Sequence, residues 1–163
     1  MCSFITIIKA LLFNKIFCWQ ISFRLLKSKC RFIRILGRLL LFFNSYKNSI
    51  LIPRETRIGY GLYIGHGPVV VNKTAVIGNI VNLSQFTTIG SNGGKAATIG
   101  DNTYIGPSVC IVEDVKIGNN VTIGAGSIVT KDIPDNATAV GNYAKVINYN
   151  NPGRYIKNKW NKF

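Results

Sequence analysis

At 163 residues with 16% charged side chains, the chain is sized for one domain, and its formal net charge of +14 is unevenly held. Residues 1–54 carry ten Lys or Arg and no acid, whereas all six acids fall between Glu55 and Asp135. Cys2, Cys18, Cys30 and Cys110 lie far apart with no CxxC pair, which argues against a zinc site or a disulfide framework and makes the reducing cytoplasm the expected compartment.

Residues 1–48 read as a basic, amphipathic helical arm. Phe4, Ile7, Ile8, Leu11 and Leu12 follow the i, i+3, i+4, i+7, i+8 template. A second helix is expected over about Gln20–Phe43, with Arg24, Lys27, Arg31, Arg34 and Arg38 along one side and Leu25, Leu26, Phe32, Ile33, Leu36, Leu40 and Phe43 over the rest. Lys9 and Lys15 would each cost roughly 3 kcal/mol near mid-bilayer, so the apolar start is not read as a span. No cleavable leader is expected either, since Lys9 interrupts the first apolar run and no positive charge precedes it. A cationic stripe beside an apolar face suits the headgroup region of an anionic membrane, and it equally suits packing against neighbouring subunits; the lack of acids favours the membrane. No recognised nucleic-acid motif accompanies the charge, so no nucleic-acid partner is assigned.

Residues 49–147 hold a repeat. An aliphatic residue followed by a small one recurs every six positions: Ile58-Gly59, Ile64-Gly65, Ile77-Gly78, Ile99-Gly100, Ile105-Gly106, Ile117-Gly118, Ile123-Gly124 and intervening variants such as Leu83-Ser84 and Val129-Thr130. Self-similarity of this kind predicts a solenoid. The aliphatic residue points into the bore, and the glycine lets the backbone turn where a side chain would crowd it. Three units make a triangular coil, so the twelve units predict about four coils. Parallel crossovers are right-handed in roughly 98% of cases, so general strand geometry by itself would favour a right-handed coil.

Two departures from regularity stand out. His66, the single histidine, occupies a turn between Ile64-Gly65 and Gly67-Pro68, where side chains leave the coil. An imidazole there could take a proton from an acceptor hydroxyl, work suited to a group whose ordinary pKa is near 6.5; a polar turn residue would look the same. The step from Ile89 to Ile99 is ten residues, so Ser91–Ala97 projects as a loop in which Gly93 and Gly94 allow close approach to a ligand and Lys95 can meet a phosphate. A plain turn would also fit. Residues 148–163 form a basic, aromatic tail that either caps the last coil or adds to membrane contact.

The segments IPRETRIG (52–59), LYIGHG (62–67), TAVIG (74–78), QFTTIG (85–90), TIGDNTYIG (98–106), IGAGSIVTKDIP (123–134) and AVGNYAKVI (139–147) resemble the left-handed β-helix, hexapeptide-repeat acyltransferases. Within them the likeness is to the serine acetyltransferase branch that includes capsule and exopolysaccharide O-acetyltransferases. The resemblance implies an all-β solenoid, a left-handed parallel β-helix with an N-terminal helical arm, and it alone assigns the left hand. It further implies a homotrimer, acetyl-CoA as co-substrate, no metal, and His66 as the general base of a direct transfer.

By the same resemblance the pantetheine arm would meet backbone near Gly90, Ser91, Pro107, Ala125 and Gly126, with Gly94 and Lys95 on the bordering loop. Lys131 and Lys145 are placed for the CoA phosphates, although both also suit ordinary exposed turns. Asn82 and Gln85 are candidates for the acceptor, or else structural turn amides. The serine enzymes carry an aspartate that aligns with Leu51 and an Arg-His pair in the loop, and both are missing here. Glu55 is the nearest acid in sequence to Leu51. These losses lead to the expectation of a sugar hydroxyl on a glycan or polysaccharide precursor as acceptor, with serine O-acetylation and a non-catalytic scaffold as the alternatives. The expected location is the cytoplasm, at the inner face of the membrane.

Overall fold

A computed structural model describes residues 14–160, and the expected helix around Phe4–Leu12 lies outside them. The chain divides into two compact units, residues 1–50 and 51–163.

In the first unit the expected long helix is instead a hairpin of two, α1 (Lys15–Leu25) and α2 (Arg31–Asn48). The cationic row is broken accordingly, because Lys27 falls in the connection. Asn14 caps α1, its side-chain oxygen accepting from the N–H groups of Ile16 and Phe17 at 3.1 and 3.0 Å. The connection closes when Ser28 Oγ accepts from Cys30 N at 3.2 Å. A helix continuous through this point would leave the apolar side of Trp19 and Phe23 without a partner. Folding back buries both rings, 5.2 Å apart, and lets Trp19 Nε1 donate to Ser45 Oγ at 3.0 Å. Gly37 is required at the crossing, since a Cβ there would stand 2.9 Å from Leu25 Cβ.

The second unit is a parallel β-solenoid. The β1 pair Ile50–Leu51 straddles the unit boundary. Three ladders then form the sides of a triangular prism. One contains β4 (Val69–Val71), β7 (Thr87–Gly90), β10 (Cys110–Val112) and β13 (Ile128–Val129). The second contains β2 (Arg57–Ile58), β5 (Val76–Ile77), β8 (Thr98–Ile99) and β11 (Lys116–Ile117). The third runs through β3 (Tyr63–Ile64), β6 (Asn82–Leu83), β9 (Tyr104–Ile105), β12 (Thr122–Ile123) and β14 (Thr138–Val140), and ends on β15 (Lys145–Asn148), which is antiparallel.

Five coils result where the repeat count suggested four. Ile133 bridges Ile117 and β14 stacks on β12, so backbone beyond the last regular hexapeptide completes a further rung. The bore is filled by the aliphatic residue of each unit: Ile58, Ile64, Ile77, Leu83, Ile89, Ile99, Ile105, Ile111, Ile117, Ile123 and Val129 are all buried. Strands of two to four residues suffice because every rung stacks on the next in register, Ile64 on Leu83, Leu83 on Ile105 and Ile105 on Ile123.

The glycine after the aliphatic residue has a sharper reason than bending. Along one corner Gly59, Gly78, Gly100 and Gly118 form a column, and a Cβ on Gly59 or Gly100 would stand 2.6 Å from the glycine backbone of the next rung. Beside that column Asn79, Asp101, Asn119 and Asp135 each accept, through Oδ1, an N–H from the rung below.

The tail, described as far as Trp160, packs along the side of the prism. After β15 it runs back along the prism, Gly153 N donating to Asn120 O at 2.6 Å, Arg154 N to Thr122 Oγ1 at 3.2 Å, and Asn102 Nδ2 to the Trp160 carbonyl at 2.9 Å. Tyr155 packs on Tyr104, and Trp160 stacks on Tyr60 of the first coil.

Candidate active site

His66 sits on the corner between β3 and β4, exposed to solvent. Because Ile64, Leu83, Ile105 and Ile123 are in register, the residues two positions later fall in one column: His66, Gln85, Pro107 and Ala125. At about 4.8 Å per rung, His66 and Ala125 are roughly 14 Å apart along the prism. A backbone ladder holds the column. Phe86 N donates to Pro68 O at 2.6 Å, Ser108 N to Gln85 O at 2.9 Å and Gly126 N to Pro107 O at 2.8 Å. These three donors are therefore spent, and any amide-bearing ligand on the corner must use other groups. Phe86, Ser108 and Gly126 share the left-handed conformation, with φ of 60°, 56° and 68°. The space beyond Gly126 is open, so a ligand can approach its backbone there.

The loop Ser91–Ala97 and Gly90 lie on the other edge of the β4–β7–β10–β13 face. The six-residue path from Gln85 to Ser91 spans at most roughly 20 Å. The loop is held from two sides. Below, Asn72 Nδ2 donates to Ser91 O at 3.3 Å, Thr74 Oγ1 donates to Gly94 O at 3.3 Å, and Ala96 N donates to Thr74 Oγ1 at 2.9 Å. Above, Ser91 Oγ donates to Glu113 at 2.7 Å and Asn92 N donates to the same carboxylate at 3.2 Å. The Ser91 hydroxyl, helped by the N–H groups of Asn92 and Gly93, holds the Glu113 carboxyl below the usual carboxylate range. Lys95 is exposed at the tip, and Lys131 is exposed on the same edge after β13.

The structure thus gathers His66, Gln85, Pro107, Ala125 and Gly126 on one corner, and Gly90, Ser91, Gly94, Lys95 and Lys131 on another. The face between them turns Val70, Thr88, Cys110 and Ile128 outward, stacked in register. Asn82 and Lys145 join neither group. Asn82 faces outward on β6 in a groove of about 480 Å³ beside Tyr63, Ile80, Tyr155 and Lys157, and Lys145 is exposed on β15. Glu55 is ion-paired with Arg54 at 2.7 Å, and that hydrogen bond holds its carboxyl below the usual range. Leu51 is 60% exposed and supplies no carboxylate.

Two residues that matter to the site escape a reading of the sequence. Glu113 and Thr74 clamp the loop from either side, and only the three-dimensional stacking of residues about 20 positions apart reveals them. Among the described residues no group of three His, Cys, Asp or Glu could hold a metal ion.

Residues 96–131 match the family described as bacterial transferase hexapeptide (six repeats). Curated relatives include a serine acetyltransferase of Helicobacter pylori, 34% identical over 82% of this chain and 80% of that protein, and one of Synechococcus elongatus, 30% identical over 83% of this chain and 56% of that protein. Among solved structures, soybean serine acetyltransferase apoenzyme superposes with a TM-score of 0.71 at 32% identity, covering 85% of this chain and 60% of that one. Neisseria gonorrhoeae serine acetyltransferase in complex with serine gives 0.69 at 33%, covering 84% and 58%. A further serine acetyltransferase, in complex with CoA, gives 0.69 at 26%, covering 85% of this chain and 60% of that one. The chain therefore spans just over half of several of the relatives it matches.

These matches overturn the expectation of a sugar acceptor. That reading weighed two missing motif elements, at Leu51 and in the loop, against the serine branch. Identity of 30–34% sustained over more than four-fifths of the chain outweighs them, and the relatives that share it are named for serine. The chain belongs to the hexapeptide-repeat, left-handed β-helix acyltransferase family, among relatives that are serine acetyltransferases.

Proposed function

We propose that this protein transfers the acetyl group of acetyl-CoA to the hydroxyl of serine. The observation that carries the reading is the 34% identity with the Helicobacter serine acetyltransferase across 80% of that protein, with His66 on an open corner. The CoA-bound and serine-bound neighbours support the same pair of substrates.

In the proposed reaction the His66 imidazole accepts the hydroxyl proton as the serine oxygen attacks the thioester carbon. Negative charge develops on the carbonyl oxygen and calls for stabilisation by N–H donors, of which Phe86, Ser108 and Gly126 are already committed. The C–S bond then breaks, and the proton held by His66 passes to the departing CoA sulfur. Bond making and breaking balance without a covalent enzyme intermediate.

The prism shape supports a shared site. Its corners point away from one another, so one chain cannot close its His66 corner and its Lys95–Lys131 edge around a single ligand. Two chains side by side can bring the His66 corner of one against the loop edge of its neighbour, and a homotrimer provides three such grooves. In that arrangement Lys95 and Lys131 meet the CoA phosphates as point charges. The test is CoA release with serine as acceptor in wild type and in a His66→Ala variant, with the oligomeric mass measured by sedimentation equilibrium. Loss of turnover with retained folding supports the role. Undiminished turnover in His66→Ala refutes it, and a monomer at full activity refutes the shared site.

A further inference from the structure

Among the described residues of its own unit, the helical hairpin leaves one large surface without a partner. α2 spends one side on α1, at Gly37 and Ser45. Opposite, Phe32, Ile35, Leu39, Phe42, Phe43 and Tyr46 fall within an arc of about 100° at 100° per residue. All six are exposed, Phe32 at 75% and Tyr46 at 84%. Arg31 and Arg38 border the arc on one side and Lys47 on the other, and the exposed Arg34 lies about 80° beyond the same edge as Arg31.

We propose that this face of α2 docks on an anionic lipid surface, with the aromatic and aliphatic side chains entering the headgroup–acyl boundary and the four cations meeting lipid phosphates. Charge selects this occupant over a second copy of the chain. Pairing the face with itself would set Arg31, Arg34, Arg38 and Lys47 against their own kind, and residues 1–54 hold no acid to offset them. The acids elsewhere are largely committed: Glu55 to Arg54, Asp101 to Asn79, Glu113 to the loop, Asp132 to Lys116 N and Asp135 to Asn119. A separate groove of the hairpin is lined by Phe17, Ile21, Leu25 and Ile33, with Arg24 and Lys27 among its lining residues. Among the described residues no helix is long and apolar enough to cross a membrane.

The experiment is co-sedimentation of the full chain with phosphatidylcholine vesicles, alone or mixed with phosphatidylglycerol. The wild type is expected on the mixed vesicles and not on the neutral ones. Replacing Arg31, Arg34 and Arg38 together by Gln should weaken binding about a hundredfold, given roughly fivefold per cation. The matching Lys variant should retain binding, and Phe32→Ser with Phe43→Ser should abolish it while the thermal melt is unchanged. None of these residues belongs to the proposed transfer site, so acetyl transfer should persist in all of them. Equal binding to both vesicle types, or none to either, overturns the proposal. So does a Phe32→Ser/Phe43→Ser variant that changes the oligomeric mass and leaves vesicle binding intact, which would assign the face to a second copy.

Discussion

Gly100→Ala probes the stacking that sets both corners in register. A Cβ at Gly100 would stand 2.6 Å from the carbonyl carbon and oxygen of Gly118, where ordinary contact begins at 3.4 Å. The rungs must therefore part by about 0.8 Å, and that movement acts on two hydrogen bonds. Gly100 N to Ile117 O is 2.8 Å and Asp101 N to Asn119 Oδ1 is 2.9 Å, so both would stretch beyond hydrogen-bonding range. At about 1 kcal/mol net for each bond, plus residual crowding, the expected loss is about 2–3 kcal/mol. For a protein of this size that lowers Tm by roughly 4–12 °C. Gly90→Ala is the control, because nothing lies within 4 Å of its added Cβ and its φ is not in the left-handed region. It should be neutral or stabilise by up to about 1 kcal/mol through the unfolded chain. Urea denaturation of both variants reads the difference. Equal midpoints for the two would refute the close-contact explanation of the glycine column.

Three further outcomes are expected. Glu113 has a folded-state pKa below its unfolded value, so its anchoring of the loop is present above the unfolded value and is lost as pH falls through the folded one. Amide exchange across 91–97 should accelerate in that acidic window, and Glu113→Gln should remove the pH dependence. Lys95→Gln and Lys131→Gln should each raise KM for acetyl-CoA by up to about fivefold with kcat little changed, as exposed charges contribute at most about 1 kcal/mol. Asn102→Ala deletes both bonds to Trp160 from a residue that is only 6% exposed. It should cost about 1–3 kcal/mol and expose the tail to limited proteolysis.

The prism is legible in the sequence because each hexapeptide states its own burial: an aliphatic residue for the bore, then a glycine where the next rung presses close. The hairpin is not legible, since the three-and-four spacing of Arg24, Lys27, Arg31, Arg34 and Arg38 runs through Leu26–Cys30, which holds no proline or glycine, and only the pairing of Trp19 with Ser45 shows why the chain folds back. The corner position of His66 is legible from its place between Ile64-Gly65 and Gly67-Pro68. The column that joins it to Gln85, Pro107 and Ala125 depends on register, which the six-residue beat implies. The clamp of Thr74 and Glu113 on the loop has no such signal, because the ten-residue step conceals which rungs the loop touches. The acceptor is misread for a different reason. Two absent motif elements, the aspartate aligned with Leu51 and the Arg-His pair of the loop, carry too much weight when the many retained residues around them are set aside.

General-base action by His66 on serine is tested most directly by the steady-state rate of CoA release with serine, compared between wild type and His66→Ala at equal folded concentration. Serine-dependent CoA release is predicted in the wild type, with a fall of about 10²–10⁴-fold in kcat for the variant, the usual contribution of a general base. Serine-dependent release that is undiminished in His66→Ala, or no serine-dependent release in the wild type, would contradict that role.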